Sequence, residues 1–209
     1  MKRAIISKMT NSIKEYCFAA PKFVKDASGN APNRESIVPH SHYLEPIIND
    51  LESGNSRKWA DASNEVKLKS INKIVGISIQ NNYSIDETAF ALSVSYIESG
   101  FNPDASAASS SASGLGQFID KTGASLGLDN LNRFSINANA KALVIHLKNL
   151  LERNSKHFKE TAKNDLFTQT YANYHDGSRI TEKTKIFSSK NIPPLVNKFK
   201  QFLVSKDCI

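Results

Sequence analysis

The chain has 209 residues, 40% hydrophobic and 22% charged, which is enough apolar content to bury a core and too much for a disordered chain. No stretch approaches the ~18 consecutive apolar residues of a membrane-spanning helix, and the two cysteines, Cys17 and Cys208, exclude a disulfide-rich scaffold and fit no metal-binding spacing. The formal charge of +7 points to a polyanionic partner, and its excess is local: residues 1–140 carry 14 Lys/Arg against 14 Asp/Glu, residues 141–209 carry 13 against 6.

Lys2 and Arg3 precede an apolar stretch too short for a secretory signal, so no Sec export route is expected. Ile5, Ile6, Met9, Ile13, Tyr16 and Cys17 recur at helical spacing and predict a first amphipathic helix. Residues 20–43, punctuated by Pro21, Pro32 and Pro39, read as irregular surface chain, and a short helix fits 44–53 with Pro46 in its first turn. A longer helix is expected over 63–80, with Val66, Ile71, Ile74 and Val75 among its apolar positions. Ser84 and Glu87 form a capping-box pattern that starts a helix over 85–99, and Gly100 stands where a left-handed residue would end it. Residues 105–113 are almost wholly Ala and Ser, which by composition alone is a flexible linker. Helices then fit 136–153, 164–174, and a last stretch that follows Pro193 and Pro194 to about residue 205. Strand alternation is scarce, so the fold class is mostly α, with a minor hairpin that has no assigned place. The division expected is a helical and irregular extension over 1–60 and a domain over 61–209.

Three patterns are set aside. Gly123-Ala124-Ser125-Leu126-Gly127 matches a nucleophile elbow, but no buried strand precedes it, and a Gly-rich turn is the better reading. His40 and His42 lack a third ligand at metal spacing and read as loop histidines, while His146 and His157 read as solvated. No phosphate-cradling glycine motif and no H-E-x-x-H occurs.

The stretch Tyr96-Ile97-Glu98-Ser99-Gly100-Phe101-Asn102-Pro103 is different. A carboxylate in the last turn of a helix faces the negative end of the macrodipole. Walls formed by Tyr96, Ile97 and Phe101 would also strip it of water. Both effects favour the protonated form, which is what a general acid requires.

Glu98-Ser99-Gly100-Phe101-Asn102-Pro103, then Ser113-Gly114-Leu115-Gly116-Gln117-Phe118 after the Ala/Ser run, resembles the signature of the lytic transglycosylases (the SLT, goose-type lysozyme-like group). Ala172-Asn173-Tyr174-His175-Asp176-Gly177 looks like that family's Ala-x-Tyr-Asn-Ala-Gly element. The resemblance covers about residues 65–180. It implies a lysozyme-like fold and a muramidase that cleaves the β-1,4 bond between N-acetylmuramic acid and N-acetylglucosamine in peptidoglycan. By the same resemblance Glu98 would protonate the glycosidic oxygen and then take the proton of the muramoyl C6 hydroxyl, closing a 1,6-anhydro ring. Tyr174 would orient Glu98, with Ser99 in support. Gln117, Phe118, Asn173 and His175 would line or support the glycan cleft, and the Ala/Ser run would become a substrate-side loop. No metal and no organic cofactor is implied.

Two departures stand out. Gly116 replaces the usual Met, which removes a packing side chain, and His175-Asp176 replace the usual Asn-Ala. A lysozyme-type hydrolase would use a second carboxylate about 5–9.5 Å from the first. Asp104, Asp120 and Asp176 are the candidates for that alternative, and a non-catalytic peptidoglycan-binding module is another.

Leu195, Val196, Phe199, Phe202 and Leu203 form an apolar stripe flanked by Lys198, Lys200 and Lys206, either a docked terminal helix or one that engages an anionic membrane surface. Lys148, Arg153, Lys156, Lys159 and Lys163 extend a basic face suited to a polyanionic envelope. With no nucleic-acid reading motif, the expected partner is peptidoglycan rather than a specific nucleic acid. A small basic muramidase is similar to phage and prophage endolysins, which implies accumulation in the host bacterial cytoplasm and release to the periplasm and wall.

Overall fold

The computed structural model describes residues 54–129, 131–157 and 163–204. The helices predicted over the first 53 residues, the irregular stretch between them, His40, His42, Lys159, Lys206 and both cysteines lie outside the described residues. Among the described residues there are six helices: α1 (Asn64–Gln80), α2 (Ile85–Ser99), α3 (Asp120–Ser125), α4 (Ile136–His157), α5 (Lys163–Asp176) and α6 (Glu182–Val204). The mostly α class expected from the sequence is the one observed among the described residues.

Local signals set the helix ends. Ser63 accepts a hydrogen bond from the Val66 amide at the start of α1. The Ser84–Glu87 capping box is formed in both directions at the start of α2. Gly100 ends α2 at φ 58°, and a Cβ there would meet Ala60 at 2.4 Å, so this position needs glycine for conformation and for space.

Helix α2 is the axis of the fold, packed against α1, α4 and α6, while α5 bridges α4 and α6. Its residues from Thr88 to Tyr96 are all buried, because a helix apolar or small on every side has no solvent face to offer. Phe90 stacks on Phe167 of α5 at 4.7 Å between ring centroids. Beneath the end of α2, Tyr96, Phe101 and Phe199 form an aromatic cluster with centroids 5.7–6.0 Å apart.

The sequence expectations differ from the structure at three places, and between the two readings of the terminal stripe the structure shows the docked helix. The segment read as a Gly-rich turn contains the short helix α3, and Ser125 is an exposed residue that donates to Thr122 O, not an activated nucleophile. The last helix does not begin after the double proline: α6 runs through Pro193 and Pro194. Those rings remove the donors for the Ser189 and Lys190 carbonyls, but both residues are exposed, so water can replace the lost bonds. Leu195, Val196, Phe199, Phe202 and Leu203 are all buried, so the stripe is spent on docking and offers no face to a membrane. Lys163 and Lys200 do not join a free basic surface, since both bind Asp86 of α2, at 2.7 and 2.8 Å.

Candidate active site

Glu98 occupies the last turn of α2 and opens into a cavity of about 610 Å³. The Ala/Ser run folds as an ordered loop against that cavity, held by isolated bridges that pair Ser106 with Ser113 and Ser113 with Phe118. This is where the small extended pairing lies that the sequence could not place. Ala107, Ser110 and Ala112 of the loop line the cavity together with Tyr171, Tyr174, His175 and Asp176 from the end of α5.

The loop is fixed from three sides. Ser99 Oγ lies 3.0 Å from Leu115 O and Ser95 Oγ 3.2 Å from it, tying the loop to α2. Asn139 of α4 accepts from Gly116 N at 2.9 Å and donates to Arg133 O. Arg133, 3% exposed, donates to Ser113 Oγ, Ser111 O and Phe118 O and pairs with Asp120. A buried guanidinium with every side engaged staples the loop that its small residues could not hold by packing. Gln117, at φ 48°, donates to Ala105 O and Gly114 O and presents its remaining surface to the cavity.

Burial is the largest influence on the Glu98 carboxyl and pushes it above the usual carboxylate range. The positive charge that His175 carries when protonated and a hydrogen bond from Tyr171 act in the opposite direction without overcoming it. Tyr171 Oη donates to Glu98 Oε1 at 2.9 Å. Burial, then the charge of Glu98, raises both the Tyr171 and Tyr174 hydroxyls well above their ordinary value, so they remain donors.

The hydrogen bond to Glu98 expected of Tyr174 is therefore made by Tyr171. Tyr174 Oη donates to Gly116 O instead. One helical turn separates the two tyrosines, which puts both on one face of α5, and this spacing was the signal available in the sequence. Gly116 also gains a reason. A Cβ there would lie 2.6 Å from Phe118 Cε2 and 2.7 Å from Tyr174 Oη, so the space of the usual Met side chain is already filled by these two rings.

The other candidates separate. Phe118 is buried and packs on His146 and Tyr174, with centroids 5.7 and 5.8 Å away. Asn173 bonds to Gln169 and Gly177 O and lines an adjoining hollow of about 370 Å³ with His146, Arg153, Phe118 and His175. His146 is not solvated as expected: burial, then Arg153, depresses its basicity, and its ring rests against Tyr174. Asp104 accepts from Gly54 N, and Asp120 pairs with Arg133, both away from the Glu98 cavity. Asp176 does line that cavity. Burial pushes its carboxyl up, but bonds from Thr181 N, His175, Thr184 and Thr181 Oγ1 together hold it well below the usual range.

Sequence reasoning missed Trp59, the single tryptophan of the chain. Residues 54–60, assigned to the extension, wrap the end of α2: Trp59 Nε1 donates to Tyr96 O and Ile97 O at 3.1 and 3.0 Å, Ala60 N to Ser99 O, and Asn102 Nδ2 to Ser56 O and Lys58 O. The Trp59 ring also lines the cavity beside Glu98. The Ile97 carbonyl beside the candidate acid is thus satisfied by a side chain that can also stack on a sugar.

A family model described as Transglycosylase SLT domain matches residues 76–190. That span includes α2 with Glu98, the stapled loop and all of α5, and leaves Trp59 outside. No curated protein and no solved structure matches the chain.

Proposed function

The chain belongs to the transglycosylase SLT family, a family of peptidoglycan-acting enzymes, and from that membership we propose that it is a muramidase that cleaves the β-1,4 bond between N-acetylmuramic acid and N-acetylglucosamine and leaves 1,6-anhydro-muramoyl ends. The observation that carries this reading is Glu98: an acid whose carboxyl burial pushes above the usual carboxylate range, hydrogen-bonded by Tyr171, and opening into a cavity that the stapled loop also lines. Glu98 gives its proton to the glycosidic oxygen, so the N-acetylglucosamine O4 leaves as a hydroxyl. The resulting carboxylate then accepts the proton of the muramoyl C6 hydroxyl as that oxygen bonds to C1. The proton is returned to Glu98, and the reaction consumes no water.

Glu98→Gln keeps the shape of the side chain and removes the transferable proton. Release of soluble muropeptides from purified peptidoglycan is expected to fall by about 10²-fold or more. Wild-type rates from the variant, or a wild-type protein that sediments with peptidoglycan and releases nothing, would overturn the reading. Within it, the role we favour is that of a phage or prophage endolysin, acting after release from the host cytoplasm. The excess of Lys/Arg over Asp/Glu after residue 140 supports adhesion to the anionic envelope. Lysis of the producing cells only when their membrane is permeabilised is the expected result.

A further inference from the structure

We propose that His175, held by Asp176, is a second catalytic group that activates water in the Glu98 cavity and gives the enzyme a hydrolytic branch beside ring closure. The inference rests on Glu98 as the acid. Its own evidence is the arrangement of His175 and Asp176 in the same cavity, at two of the three positions where the chain departs from the family pattern.

Asp176 cannot itself serve as the base. One oxygen accepts from His175 Nδ1 at 2.7 Å, and the other accepts from Thr181 N at 2.7 Å and Thr181 Oγ1 at 2.9 Å. With three hydrogen bonds on its two oxygens and its carboxyl held well below the usual range, this carboxylate has little basicity left for a water molecule. It can instead fix the imidazole. An ionised carboxylate at Nδ1 selects the tautomer that carries its proton there, which leaves Nε2 as a lone-pair acceptor. His175 has 53% of its side chain exposed and lines the same cavity as Glu98, so water can reach it. Its ring stands 6.2 Å from that of Tyr171, whose hydroxyl holds Glu98, which sets acid and imidazole on adjacent supports.

The chemistry closes without a further reactant. Glu98 protonates the leaving O4 as the C1–O4 bond breaks. Water then bonds to C1 through its oxygen and gives one proton to His175 Nε2, and the product carries a free hydroxyl at C1. The imidazolium returns that proton through solvent to the Glu98 carboxylate. One water is consumed per bond, and both groups end as they began.

The test is digestion of purified peptidoglycan by the full chain in H₂¹⁸O, with products resolved by mass spectrometry. The wild type is expected to release both anhydro ends and ¹⁸O-labelled reducing ends. His175→Asn should lower the ratio of labelled to anhydro ends by about 10-fold or more. Asp176→Asn should lower it too, although the imidazole remains, because the tautomer is no longer held; circular dichroism on both variants verifies folding. A wild type that yields anhydro ends alone, or an unchanged ratio in His175→Asn, overturns the inference. Either result leaves the role of Glu98 standing, which fails separately if Glu98→Gln still cleaves.

Discussion

Glu98 combines two demands that pull against each other. A raised carboxyl is useful for proton donation, yet ionising it costs the fold free energy. Because its folded pKa lies above the unfolded value, its favourable contribution is complete at low pH and is lost as pH rises through the folded value. Glu98→Gln should therefore melt above the wild type at pH 7–8 and equal it near pH 4, as thermal denaturation at the two pH values would reveal. Tyr171 works on the same balance. Its hydroxyl donates to the ionised carboxylate, so Tyr171→Phe should move the basic limb of kcat/KM to higher pH while lowering the maximum by about 10-fold. Tyr174→Phe removes a bond to Gly116 O and should leave that limb in place. A shift of the limb in the second variant and not the first would reverse the two assignments. The position of Glu98 was readable from its helix ending and motif. Which tyrosine reached it was not, because residues one turn apart on a helix share a face, and only packing against the loop decides between them.

The helices illustrate how local rules hold or yield. Capping set the bounds of α2 because its Ser84, Glu87 and Gly100 signals act within one turn of the residues they govern. Proline in α6 breaks the local rule, and the fold tolerates it because buried Ile192, Leu195, Val196 and Phe199 anchor the helix on both sides of the interruption. Burial of such side chains is worth about 1.5–3 kcal/mol each, comparable to or above the roughly 3 kcal/mol of an interior proline when summed. Helix α1 offers the opposite case. Gly76 lies in its interior, and an added Cβ would meet nothing within 4 Å. Gly76→Ala should stabilise the protein by about 0.5–1 kcal/mol in urea or thermal denaturation, with activity unchanged. A destabilised variant would mean that the helix needs glycine for a contact made elsewhere.

The packing of α2 against its neighbours is reinforced where charge was read only as surface. Asp86 at the start of α2 receives Lys163 from α5 and Lys200 from α6, and hydrogen bonds from these lysines hold its carboxyl below the usual range. A depressed carboxyl contributes stability above its unfolded pKa and loses it as pH falls through the folded one. Asp86→Asn should cost about 0.5–1 kcal/mol at pH 7, a modest figure because both ammonium groups are half exposed. The difference should be lost as pH falls through the folded value and shrink in about 1 M salt, where screening acts within a few ångströms. Equal loss at all salt concentrations would point to packing rather than charge.

The sequence alone determined the helical class, the ends of α2, the motif family and the candidate acid, because capping, periodicity and short motifs are written in neighbouring residues. Tertiary structure decided the rest. It assigned Tyr171 rather than Tyr174 to Glu98, brought Trp59 from outside the motif region to the end of α2, filled the space at Gly116, and turned the terminal stripe inward. Arg133 and Asn139 carry no motif, yet together they hold the loop that forms one wall of the cavity. Each of these depends on which side chains meet across large separations in the chain. Such meetings follow from the shared burial of surfaces and from polar groups that must find partners once water is gone.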